Sequence, residues 1–170
     1  MKTTRNRCLG TAAGAALVLA SASAALAGST ISADEPSLVG TWQYEMTVRL
    51  DSPDCTTSEP IDFGANPFPA LASFHAGGTM NDYASRTPPT IRTTSFGSWK
   101  QVGKYRYKAR HTFMEFDANG LLWRNMVIES KIHLGKYGSQ YKAEGRLELT
   151  DVSGNVLKFC ATMEGVRFEP

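Results

Sequence analysis

The chain has 170 residues, 18 of them basic, 16 acidic and 42% hydrophobic. That is enough for one domain with a sizeable core. The near balance of charge leaves no basic surface suited to nucleic acid or anionic lipid.

The first 27 residues set themselves apart. Lys2, Arg5 and Arg7 precede an Ala/Leu/Val-rich run that ends at the small-residue site Ala25-Leu26-Ala27. This pattern predicts a secretory signal peptide over 1–27, cleaved after Ala27. The apolar run is too short for a membrane span. Removing three of the 18 basic residues leaves 15 against 16 acidic ones, so the exported chain would be nearly neutral. Export implies a periplasmic or extracellular location and an oxidising one. Cys8 is lost with the leader. Cys55 and Cys160 remain and are expected to form a disulfide. Residues 28–37, small and polar, read as a flexible stretch before a single domain over 38–170.

Strict alternation marks the strands of that domain. In Leu38–Leu50, Trp42, Tyr44, Met46, Val48 and Leu50 share one face. Residues 70–75 and 79–83 form a hairpin about Gly77-Gly78, and Ser95–Val102 carries Trp99. The longest pattern runs from Lys104 to Leu134. Tyr105, Tyr107, Ala109, His111 and Phe113 face one way there, and Lys104, Arg106, Lys108 and Arg110 the other. The turn at Asp117-Ala118-Asn119-Gly120 supplies the positive φ that a short hairpin requires. Beyond it, Met126, Ile128, Ile132 and Leu134 alternate with Asn125, Glu129, Lys131 and His133. Gln140–Thr150 and Val156–Phe168 complete the set, with Leu157, Phe159, Ala161 and Met163 in phase.

Two stretches break the pattern. Asp51–Pro69 carries Pro53, Pro60, Pro67 and Pro69, which deny ladder donors. It reads either as a lid or binding loop, or as an Ω-loop pinned by Cys55. Ile61, Phe63 and Phe68 give it apolar material to pack. Ala84–Thr94, with Pro88-Pro89, is a second loop. The eight strand candidates, with no helix, predict an all-β fold: an eight-stranded antiparallel up-and-down β-barrel following the signal peptide.

Gly40-Thr41-Trp42 at the start of the first strand resembles the GxW signature of lipocalins and related calycin barrels. In that superfamily the Trp closes the barrel floor and a basic residue from the last strand packs across it. Arg167 stands where that partner would be. The chain departs from the family: the TDY-type motif is missing between the sixth and seventh strands, Asn81-Asp82-Tyr83 comes too early to replace it, and no helix follows the barrel. The resemblance covers most of the domain in architecture but only Gly40, Trp42 and Arg167 in motif. It implies a bacterial secreted barrel that binds a small hydrophobic molecule.

The inward set fits such a ligand. Tyr44, Met46, Phe74, Trp99, Tyr105, Tyr107, His111, Phe113, Met126, Tyr141 and Phe159 are the candidate lining, with tyrosine hydroxyls as the polar handles. The same set would equally fill a solid core; inward Ala109, Ala143, Gly145 and Ala161 leave space. His111 and Glu115 share a strand face and, with Tyr107, are the candidates for proton transfer. Arg106, Lys108, Arg110 and Arg124 read as a solvated outer patch. The three histidines lie on separate strands without ligand spacing, so no metal is expected, nor any cofactor. Three functions follow. The first is a secreted carrier of a small hydrophobic molecule, with Asp51–Pro69 as its lid. The second is a small-barrel cyclase or isomerase resembling the allene-oxide-cyclase type. The third is a protein-binding or inhibitor module with a filled barrel.

Overall fold

The computed structural model describes residues 36–61 and 66–168. The predicted signal peptide, most of the segment after it, and Phe63 lie outside the described residues. Eight strands form one closed antiparallel barrel: β1 (Gly40–Leu50), β2 (Phe68–Phe74), β3 (Thr79–Ala84), β4 (Ser95–Gly103), β5 (Arg106–Phe116), β6 (Leu122–Leu134), β7 (Gln140–Asp151) and β8 (Val156–Arg167). Each strand pairs with the next, and β8 returns to β1, with Trp42 opposite Arg167 and Leu50 opposite Phe159. No helix occurs among the described residues.

Alternation read from the sequence is the alternation of burial. Along β5, Tyr107, Ala109, His111, Phe113 and Glu115 are buried while Arg106, Lys108, Arg110, Thr112 and Met114 are exposed. Closure leaves no free sheet edge. Two bulges adjust the ladder, one at Gln101/Gly103 and one at Glu115/Phe116, where β5 and β6 approach their turn.

The two ends differ. The floor is sealed. The Trp42 indole N–H donates to the Leu38 carbonyl at 2.9 Å, and the Arg167 guanidinium lies 4.4 Å over the Trp42 ring. Arg167 also donates to the carbonyls of Val39 (2.7 Å), Ser37 (2.5 Å) and Gly138 (2.9 Å), so one side chain ties the approach to β1 to the β7 turn. Gly40 makes this possible: its φ is +131°, and a Cβ there would lie 2.5 Å from an Arg167 nitrogen. Tyr141, Tyr107, Trp99 and Phe74 pack above, with Trp42–Tyr141 ring centroids at 5.1 Å and Trp99–Tyr107 at 5.7 Å. Tyr105 precedes β5 and is only partly buried, as is Trp99.

The opposite end, the mouth, is where the loops gather. Cys55 and Cys160 form the expected disulfide, with Cα atoms 5.7 Å apart. Cys160 points away from the interior, between inward Phe159 and Ala161. The bond therefore straps residues 51–58 down the outside of the barrel, where Arg146 of β7 donates to Asp51 Oδ1 (3.0 Å) and to the carbonyls of Ser52 and Pro53. This part of the first loop fits the reading of a loop pinned by Cys55 rather than that of a lid. Residues 59–61 then return along β1, with Ile61 N–H on the Val48 carbonyl at 3.0 Å. The second loop extends the β4–β5 ladder at the mouth. Its Ile91–Thr93 segment is laced to the end of β5 by Thr93 N–H to Met114 O (2.9 Å) and Phe116 N–H to Ile91 O (2.8 Å).

Candidate functional site

The barrel core is not wholly apolar. Asp82, inward on β3 beside Met80 and Ala84, is 4% exposed. The Tyr44 hydroxyl donates to its Oδ2, and the Ser95 hydroxyl donates to its Oδ1 at 3.0 Å. Arg92 descends from the second loop to meet it. The guanidinium donates to Ser95 Oγ (3.1 Å) and to the carbonyls of Ala84 (3.3 Å) and Thr93 (3.1 Å), and it lies 4.0 Å from Asp82 Oδ1. Its flat face covers the Phe113 ring at 3.8 Å. Arg92 is thus a charged cork, held by a carboxylate below and a ring beside it.

His111 Nε2 lies 3.7 Å from Asp82 Oδ1. Burial lowers the His111 pKa; the Asp82 charge opposes this and the Arg92 charge adds to it. The imidazole is therefore neutral near pH 7. Burial also pushes the Tyr44 phenol well above its ordinary value, with the Asp82 charge second, and does the same to Tyr141. Both stay protonated donors.

Glu115 sits one level nearer the mouth. It accepts from the Thr87 hydroxyl at 3.0 Å and forms an ion pair with Arg124, which faces it across the ladder. Arg124 is thus turned into the mouth, in phase with Met126, and is no part of an outer patch. Phe113 stands between His111 and Glu115, and no hydrogen bond or ion pair joins them. The acidic neighbour of His111 is Asp82, which the sequence reading did not single out.

Two cavities flank Asp82. The upper, about 30 Å³, lies under the mouth between Met46, Val48, Phe68, Phe113, Met126 and Leu147, with Arg86, Thr87, Arg92 and Glu115 as its polar border. The deeper, about 20 Å³, is lined by Tyr44, Phe74, Asp82, His111, Ser130 and Tyr141 among smaller neighbours. A pocket for a drug-sized molecule needs roughly 300–1,000 Å³. In this conformation the candidate lining residues therefore pack largely against one another. Of these, Met46, Phe113 and Met126 border the upper cavity, and Tyr44, Phe74, His111 and Tyr141 the deeper one. Trp99, Tyr105 and Tyr107 belong to the floor, and Phe159 is half-buried against the core. Larger clefts, of about 550 and 460 Å³, lie on the outer wall among long charged side chains such as Arg110, Glu129, Lys131 and Arg146. They are the solvated spaces between those side chains.

Above the upper cavity the apolar lining continues into solvent. Leu50 and Leu157 follow the inward phase of β1 and β8, yet are 57% and 55% exposed, and Leu122, past the bulge and paired with Phe116, is 47% exposed. Trp123, Val152 and Val156 stand exposed on the same end, with Val152 N–H on the Trp123 carbonyl at 3.2 Å. Leu157, expected inward, reaches the rim rather than the core.

The pKa of His111 has a measurable consequence. A histidine held neutral in the folded state and titrating near 6.5 when unfolded stabilises the fold fully above pH 6.5. As pH falls below 6.5 the unfolded chain takes up the proton first, and this stability is lost. Denaturant midpoints measured from pH 7.5 to 5 should show a downward slope that is shallower in a His111→Gln variant. Equal slopes would show that His111 is not held neutral.

No group of three or more His, Cys, Asp or Glu side chains among the described residues is placed to hold a metal ion, and no helix among them is long and apolar enough to cross a membrane. Compared with protein-family models and with curated proteins, the chain matches none.

Proposed function

We propose that the protein is an exported small-barrel binding protein that receives a small hydrophobic molecule at its mouth. One observation carries the reading: β1 and β8 continue their apolar inward face past the core to exposed Leu50 and Leu157, at the end of the barrel where a cavity is bordered by Met46, Phe68, Phe113 and Leu147. Exposed apolar surface that lines an opening is a common mark of a binding site. Entry to the interior requires the 85–94 loop to lift and draw the Arg92 cork with it. The sealed floor, with Arg167 across Trp42, supports a lipocalin-like reading, in which only the other end admits a ligand. The basic start, apolar run and small-residue site over 1–27 support export, as does the disulfide.

Titration with an apolar fluorescent probe of the anilinonaphthalene type tests this. The expected result is saturable one-to-one binding, weakened at least tenfold by Leu50→Glu with Leu157→Glu. Val166→Glu, a change at an exposed position near the floor, should have no effect. The reading fails if the unaltered protein shows no saturable binding, or if the floor control weakens binding as much as the rim pair.

A further inference from the structure

The deeper cavity is separate from the mouth, with Asp82 between the two. Its polar wall is unusual. His111 and Ser130 are 4% and 6% exposed, and neither imidazole nitrogen nor the Ser130 hydroxyl has a hydrogen-bond partner within the protein. Buried polar groups are nearly always paired. Here all three atoms belong to side chains that border one small space.

The ladder brings them together. Ser130 of β6 faces Ala109 of β5, and Ala109 is the inward residue next to His111, so the two side chains are diagonal neighbours on one face. Small residues keep the space in front of them open: Ala72, Ala109 and Ala143 border the cavity. Gly145, opposite Ser130 on β7, makes room for the Met163 methyl, which would stand 2.7 Å from a Cβ there.

The chemistry of the wall defines what fits. A neutral imidazole offers one donor and one acceptor, and a serine hydroxyl offers both. The negative charge of Asp82 is already met by two hydroxyl donors and by Arg92, so a cation gains little here. The space of about 20 Å³ matches one molecule of a single heavy atom, since a water needs roughly 10–15 Å³ by this measure. We propose that the deeper cavity is a binding site for one small neutral molecule that both donates and accepts hydrogen bonds, water in the exported protein, held by His111 and Ser130. The occupant fixes which ring nitrogen of His111 carries the proton, and it links that ring to the Tyr44–Asp82 pair.

Oxygen-17 relaxation dispersion counts waters held for longer than a protein tumbles, and it reads this site by difference. The full exported chain should show one more such water than a Ser130→Val variant, which removes the hydroxyl and fills its place. If that variant does not fold, Ser130→Ala takes its role. In parallel, one His111 ring nitrogen should give the nitrogen-15 shift of a hydrogen-bonded position in a neutral ring, and the substitution should move it. Unchanged water counts and unmoved ring shifts would overturn the proposal. So would a rise in melting temperature in Ser130→Val, the response of a dry hole that has been filled.

Discussion

Replacing Asp82 by leucine is expected to destabilise the barrel by about 3–5 kcal/mol, the cost of leaving one member of a buried charge pair without its partner. The Arg92 and Asp82 side chains are 2% and 3% exposed, so water cannot take over the role of either. Three groups lose their partner together. The Tyr44 hydroxyl loses its acceptor, Ser95 loses the carboxylate it donates to, and the guanidinium stays buried over Phe113. The double variant Asp82→Leu with Arg92→Met should recover part of the loss, because it removes both buried charges and leaves only the Tyr44 and Ser95 hydroxyls without their acceptor. Denaturant unfolding of the two variants and the parent decides the matter. A single variant within about 1 kcal/mol of the parent would mean that the pair is not the organising element of the core.

Breaking the Cys55–Cys160 bond is the second large effect. The bond joins residues 105 apart in sequence, and a loop of that size is worth about 4–5 kcal/mol in the chain-entropy account. Thermal unfolding with and without reductant, alongside a Cys55→Ala/Cys160→Ala variant, should show a fall in melting temperature of roughly 8–20 °C for a domain of this size. The strap lies on the outer wall, so the reduced protein should keep a folded barrel below its new transition. A shift under about 2 °C would show that the segment 51–58 is held without the bond, by Arg146 and its own turn.

The same features show how far the sequence could be read. Strand positions were legible because a barrel wall with one dry face imposes period two, and every predicted strand lies within two residues of its true bounds. The disulfide was legible from the two cysteines left once residues 1–27 are read as a leader. Its effect on the first loop was legible too, had the parity of β8 been used. Cys160 stands between inward Phe159 and Ala161, so its partner has to come from outside. Parity likewise placed Arg124 with Met126, and Asp82 with Met80, although a strand as short as β3 gives a weak signal. Arg92 was out of reach. It comes from a proline-bearing loop with no periodicity, and it enters the core only because tertiary contacts to the end of β5 turn that loop inward. Nor could side-chain lists decide between a hollow and a filled interior, since both use the same apolar residues, and the volume left over depends on how they pack.

The pairing of β8 with β1 has a consequence for the order in which the molecule can be made. The first strand to leave the ribosome or an export channel finds one of its two neighbours only when residues 156–167 follow, more than a hundred positions later. Until then seven strands form at most an open sheet with two bare edges, and Trp42 waits without the arginine that seals it. Such contacts between distant parts of a chain make folding slow, and bare edges invite pairing with other chains. Passage across a membrane in an unfolded state suits this topology. The barrel has little to gain from folding early, and it snaps shut once the last strand arrives.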